Sequence, residues 1–389
     1  MENKKCAIFN FWNSGNYGAV MTAFALCEIL KKMGLSPYLI NYDNKQYARF
    51  FKIKRPLEFA KKYLNITSEC CNKKDLSKLN KEFDIFIVGS DQVWQWFDWW
   101  NYLYYLDFVE TNKKKIAISA SFGVDFYRGN TQQTIFAQYF IKRFDSISVR
   151  EKSGIDICNN IFNVNADFVL DPVFLYDKKG YENLIKEADT KEKDYIVNYT
   201  LDNDNSKNKL IENISQKLNK KVITIKPNGG IENWLYLIKN ADFVITDSFH
   251  GTCFSIIFNR NFISIKNKIR GNARFESILN LINLEERLVD PNENYNIDKL
   301  IQDIDYDKIK ELLEEEKEKS LKWIKTAIEK PKDTRNETAE SKVLFELLKN
   351  KKIEKEFLSS NTPRTGLKRL IYGIFKIIRK TLGKLYEKN

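Results

Sequence analysis

ADFVITDSFHGTCFSIIFNRNFISI, residues 241–265, holds the only histidine among 389 residues. Phe243, Val244 and Ile245 read as a short buried strand, Thr246 to Gly251 as a polar turn, and Cys253 to Phe258 as an apolar helix. In open α/β sheets ligands sit beyond the carboxyl ends of strands, where the next helix presents unpaired amides and the positive end of its dipole. Asp247, Ser248, His250 and Thr252 crowd that edge. The plain alternative for a lone histidine is a structural cap on a turn. Three features favour a site instead: polar residues on both sides, Gly251 as a place for a ligand to approach backbone, and no competing imidazole elsewhere.

Working outward, the same strand–polar turn–helix unit recurs. Cys6–Phe11 reads as a first strand, Asn13-Ser-Gly-Asn-Tyr-Gly as its loop and Ala19–Met33 as a helix closed by Gly34. Asn13 and Asn16 are candidate ligand contacts there, against the alternative of a tight turn, and the glycine spacing does not support a dinucleotide site. Tyr38–Tyr42 follows as a strand, then a lysine-rich polar insertion over 44–82. Asp84–Gly89 is a strand ending at Asp91 and Gln92, both suited to sugar hydroxyls. The aromatic run after it, with Trp96, Trp99, Trp100, Tyr102, Tyr104 and Tyr105, reads first as core and second as a stacking platform for a sugar.

Ile116–Ser121 and Ile147–Val149 continue the first lobe, and Arg150 ends the second of these strands. Its planar fork suits carboxylate or phosphate, unless it is spent on a structural ion pair with Glu151 or a nearby acid. An Asp-Pro turn in Asp167–Phe174 marks the crossover to a second lobe. There strands at 195–199, 222–225 and 243–245 alternate with helices near 206–218, 231–239 and 252–258, as in a parallel sheet with right-handed crossovers. Lys266, Lys268, Arg270 and Arg274 then place four cations within nine residues. A helix over 272–283 and a charged one over 303–330, packed back on the lobes, complete the pattern.

The domain division expected is 1–175 and 176–300 for the two α/β lobes, 301–357 for a helical extension and 358–389 for a linker with a basic amphipathic helix. No run approaches the roughly 18 apolar residues of a bilayer span. The N-terminus shows no signal-peptide pattern, so the expected compartment is the cytoplasm. Six cysteines without C-x-x-C spacing, and a single histidine, suggest buried thiols and no metal centre. The net charge of +12 does not indicate a nucleic-acid partner, because residues 364–389 carry eight cations against Glu387 and so hold +7 of it. In that tail Leu367, Leu370, Ile371, Ile374, Phe375, Ile378, Leu382 and Leu385 collect on one helical face opposite the cations. The face suits an anionic membrane surface or the protein's own flank, and the Ser-Ser-Asn-Thr-Pro linker at 359–363 favours the membrane.

The stretch TDSFHG with FSIIFNRNFISI resembles the signature of the polysaccharide pyruvyl transferase family. Six others in register do too: NSGNYGAVMTAFAL, DIFIVGSDQVW, IAISASFGVD, ISVREKSG, DFVLDPVFL and GNARFESILNLINLEERLV, together covering residues 6 to about 290. The resemblance implies two Rossmann-like lobes similar to a GT-B fold, with transfer of pyruvate from phosphoenolpyruvate to sugar hydroxyls as a ketal and no cofactor. It implies that Arg150 of the VRE motif binds phosphoenolpyruvate and that one downstream cation, Lys266 or Arg270, joins it. It also implies that the Asn13–Gly18 loop faces the cleft. His250 is then the proton donor to the methylene carbon, Asp247 orients it or accepts a hydroxyl proton, and Ser248, Gly251 and Thr252 present helix N-terminal donors. The expected partners are phosphoenolpyruvate and a glycan acceptor, free or lipid-linked. Rival readings are a nucleotide-sugar glycosyltransferase on the same lobes and a non-catalytic membrane-associated assembly subunit.

Overall fold

Short runs of consecutive apolar residues, too short for helices and buried on both faces, build two parallel sheets. In the computed structural model, which describes residues 4–42, 54–95, 102–129, 131–202, 204–227, 229–267 and 270–333, the first sheet comprises seven strands. These are β1 (Lys4–Phe9), β2 (Leu35–Tyr42), β3 (Ile66–Cys70), β4 (Ile85–Val88), β5 (Lys114–Ala120), β6 (Ser146–Val149) and β7 (Asp167–Phe168), in the order β3-β2-β1-β4-β5-β6-β7. The second comprises β8 (Tyr195–Tyr199), β9 (Lys221–Thr224), β10 (Phe243–Thr246), β11 (Asn261–Ile265) and β12 (Leu288–Val289), in the order β12-β11-β10-β8-β9. Every neighbouring pair is parallel. The fold is therefore α/β with two Rossmann-like lobes. The tail helix and its membrane face lie outside the described residues, as do Trp96, Trp99, Trp100 and Lys268.

Chain order reverses between β1 and β4 in the first sheet and between β8 and β10 in the second. Such reversals open a crevice at the carboxyl ends of the strands, because the flanking connections leave to opposite faces. The loops after β1, β4 and β10 carry the Asn13–Gly18, Asp91–Gln92 and Asp247–His250 segments to those two crevices.

The helix Tyr17–Lys32 joins the lobes. Most of its buried residues belong to one apolar cluster with Tyr195, Tyr199, Trp234 and Phe254 of the second lobe. The Tyr17 ring stacks on Trp234 at 5.6 Å, its hydroxyl donates to the Lys226 carbonyl at 2.9 Å, and the Gly229 amide donates to it at 2.7 Å. The charged helix Tyr306–Glu329 packs back on both lobes, Tyr306 donating to the Arg260 carbonyl of the second at 2.6 Å. The Leu170 amide donates to Ser320 Oγ at 3.1 Å and Trp323 Nε1 donates to Asp167 Oδ2 at 2.6 Å.

Two expectations change. The 44–82 insertion contains an edge strand, β3, whose residues (Ile66-Thr-Ser-Glu-Cys), half-buried or exposed except Cys70, give little apolar signal yet pair with β2. The helix after β10 begins at Phe249 rather than after Gly251, since Ser248 caps it. Among the cysteines, Cys6, Cys27, Cys70, Cys158 and Cys253 are buried free thiols and only Cys71 is exposed. Burial pushes Cys6 up to about 12 and Cys70 to about 11.

Candidate active site

β10 delivers the site residues to the cleft. Ser248 takes extended backbone and accepts from the Gly251 amide at 3.3 Å, so the helix Phe249–Ile257 starts at once and His250 stands in its first turn. The imidazole is buried, 5% exposed, and faces the other lobe. Gly18, in the first turn of the Tyr17–Lys32 helix, lies against it so closely that a Cβ there would fall 2.1 Å from Nδ1. His250 Nε2 lies 3.7 Å from Asp171 Oδ2, beyond hydrogen-bond range, and has no hydrogen-bond partner among the described residues.

Asp171 is the centre of the arrangement. Its carboxylate accepts from Arg150 Nη1 at 2.5 Å, Ser90 Oγ at 2.9 Å, Thr22 Oγ1 at 2.9 Å and the Val173 amide at 3.2 Å. Burial alone would raise this acid, but His250 and Arg150 hold it well below the usual carboxylate range. Arg150, at the end of β6, also donates to Asp91 Oδ1 at 2.9 Å and lies 4.7 Å from the Phe249 ring centre. Burial works against its charge, yet Asp171, Asp91 and Glu151 hold it above its ordinary value. Asp91 is likewise lowered, Arg150 and His250 prevailing over burial. A guanidinium of one lobe and the imidazole of the other thus come to one site, without an open gap between them. An aspartate stands between them.

Gln92 joins the cluster from the β4 loop. With its amide oriented to satisfy both ends, it accepts from Arg274 and donates to Gln95 Oε1. Arg274, in the first turn of the helix Ala273–Leu281, is buried and lies 5.6 Å from the Phe249 ring centre. Glu151 is also buried. Its Oε1 accepts from the Phe122 amide at 2.6 Å, its Oε2 has no partner among the described residues, and burial raises it above the usual range.

Several assignments are corrected. Asp247 does not contact His250. It accepts from the Leu201 amide at 2.6 Å and from Lys207 Nζ at 2.7 Å, because the loop after β8 closes over it. Gly251 is needed for packing, since an added Cβ would lie 2.3 Å from Thr246 Oγ1. Thr252 is fully buried and shares a 2.6 Å hydrogen bond with Ser264. Asn16 caps the Tyr17–Lys32 helix through the amides of Gly18 and Ala19, and Asn13 donates to the Tyr42 carbonyl at 2.7 Å. Arg270 grips Asp202 through two bonds of 3.0 and 2.9 Å. Lys266, just past β11, is half-buried, and its ammonium has no ion pair or hydrogen bond among the described residues. Tyr102 and Tyr105 pack in the core behind the first sheet, as the first of the two readings holds.

The sequence reading missed Asp171, Glu151 and Arg274 as members of the site. Each lay in a quoted stretch, but Asp171 read as a turn residue before Pro172, Glu151 as a partner for Arg150, and Arg274 as one cation among four.

The sequence pattern that defines polysaccharide pyruvyl transferases matches residues 16–269. The chain belongs to that family. No curated protein matches the sequence. Among solved structures, UDP-GlcNAc 2-epimerase from Neisseria meningitidis bound to UDP-GlcNAc is similar at 11% identity and TM-score 0.47, over 89% of this chain and 100% of that one. UDP-N-acetylglucosamine 2-epimerase from Rickettsia bellii is similar at 10% identity and TM-score 0.49, over 83% and 96%. The E. coli heptosyltransferase WaaC with ADP gives 11% identity and TM-score 0.39, over 80% and 99%. Membership in the polysaccharide pyruvyl transferase family extends from the cap of the Tyr17–Lys32 helix to the loop after β11, and so takes in Asp91, Arg150, Asp171 and His250.

Proposed function

We propose that the protein transfers pyruvate from phosphoenolpyruvate to two hydroxyls of a glycan, forming a ketal and releasing phosphate. The observation that supports this reading is the Nε2 of His250, without a hydrogen-bond partner among the described residues, at the junction of the two sheet edges beside a carboxylate clamped by Arg150. An enol phosphate becomes electrophilic when its methylene carbon gains a proton, and His250 donates it. The positive character that develops at the enol carbon is met by one sugar hydroxyl, then by a second as the C–O bond to phosphate breaks. Each hydroxyl gives up its proton: one restores the imidazolium and the other leaves with the phosphate as hydrogen phosphate. Asp171 positions the imidazole and Arg150 positions Asp171. Lys266, at the same sheet edge and without an ion pair among the described residues, is the cation we assign to an anionic group of the donor.

Replacing His250 by Ala is expected to abolish phosphate release from phosphoenolpyruvate and a glycan acceptor while circular dichroism shows an unchanged fold. Retention of more than a few per cent of wild-type turnover would remove His250 as the acid.

A further inference from the structure

Buried charges in folded proteins are paired, because an isolated ion loses far more hydration than packing returns. Of the two buried arginines of this site, Arg150 follows the rule and Arg274 does not. Arg150 has Asp171 and Asp91, and Arg270 has Asp202. Arg274 is 5% exposed and has no carboxylate at ion-pairing distance among the described residues. Its donors reach the carbonyls of Arg270 and Gly271 at 3.2 and 3.3 Å and the neutral amide of Gln92, and its Nε has no partner among the described residues. Asp91 and Glu151 act on it only from a distance. Burial, together with the like charge of Arg150, brings its guanidinium down to about 10.

Phe249 explains how two guanidinium groups come to share one small space. Its ring has Arg150 4.7 Å from its centre and Arg274 at 5.6 Å, which eases their repulsion but does not cancel it. The His250 ring lies 5.4 Å from the same ring. Asp91 and Asp171 are taken up by Arg150, so Arg274 stands beside Phe249 with no carboxylate of its own. We propose that Arg274 supplies the second cation of the donor site and pairs with a phosphoryl group of the bound ligand. This rests on reading the cleft as a donor pocket. The planar fork with a free Nε–H suits a phosphate better than a point charge would.

The test compares wild type with Arg274→Met and Arg274→Lys in thermal shift, using inorganic phosphate, phosphoenolpyruvate and UDP as separate probes, and in steady-state phosphate release. The expected result is that phosphate and phosphoenolpyruvate stabilise wild type and not Arg274→Met. Meanwhile the ligand-free variant melts no lower than wild type, because an unpaired buried charge has been removed. Its KM for phosphoenolpyruvate should rise roughly 10- to 100-fold, the loss of one charge-assisted hydrogen bond. Arg274→Lys, which keeps the charge without the fork, should fall between, and it decides the matter through KM should Arg274→Met fail to fold. Undiminished stabilisation of Arg274→Met by both probes overturns the assignment, as does a wild type that none of the three stabilises. Stabilisation by UDP alone, lost in Arg274→Met, supports the pairing with phosphate and rejects phosphoenolpyruvate as the donor.

Discussion

Asp171 is the residue on which four donors converge, and its position explains why a buried acid stays ionised beside the imidazole. Glu151, its neighbour in the cleft, shows the opposite balance. Burial raises its carboxyl, so its contribution to stability is present below the ordinary carboxylate pKa of about 4.3 and is lost as pH rises through the higher folded value. Glu151→Gln keeps an acceptor for the Phe122 amide but removes that titration. Urea denaturation across pH 4 to 8 should show a flatter dependence for the variant and equal or greater stability at neutral pH; an unchanged slope would assign the titration elsewhere. At this scale the sequence was legible where residue type alone constrains chemistry: His250 by its uniqueness and Arg150 by its strand end. It was not legible for Asp247 and Thr252, whose polar side chains serve the neighbouring loop after β8 and Ser264 of β11. Strand-end position is the same for both uses, and only tertiary contacts separate them.

Among elements, the strands were the clearest part of the chain. β8 falls where the apolar run places it, and β4, β5 and β10 shift by a residue or two, because a strand buried on both faces has no other composition available. β3 escaped notice because an edge strand need bury only part of its surface. The Tyr306–Glu329 helix was recognisable as a helix, but its docking partner was not, since its contacts to β7 and to the turn before Pro172 rest on two side chains, Ser320 and Trp323. Ser320 receives the buried amide of Leu170, the residue before Asp171. Ser320→Ala leaves that amide without an acceptor and should lower unfolding free energy by about 1–3 kcal/mol. Chemical denaturation checks this, and Ser320→Thr should restore most of the loss.

For the whole molecule, the lobes meet along a seam made of small contacts. Gly18 abuts His250, and a Cβ at Gly271 would sit 2.2 Å from the Gly123 carbonyl. Ser277 accepts from the Lys152 amide at 2.9 Å, and Tyr17 bridges to Lys226 and Gly229. With the side chains of Arg150 and Asp171 at 0% exposure and His250 at 7%, this seam screens the imidazole from solvent. Tyr17→Phe removes both bonds of the Tyr17 hydroxyl while keeping its stack on Trp234. Hydrogen exchange at the Gly229 amide should then accelerate while strands β8 and β10 stay protected, and an unchanged rate would show that the hydroxyl does not hold the seam. Apart from the cleft-facing Asn13–Gly18 loop, this seam was not readable in advance, because each contact joins residues 100 or more positions apart.

Of the six thiols, the one that solvent reaches is Cys71, beside the edge strand β3 and on the far side of the sheet order from β7. A maleimide dye added to the native chain would therefore attach at a single position without any engineering. Paired with a second fluorophore introduced on the other lobe, it offers a ruler for watching the cleft breathe.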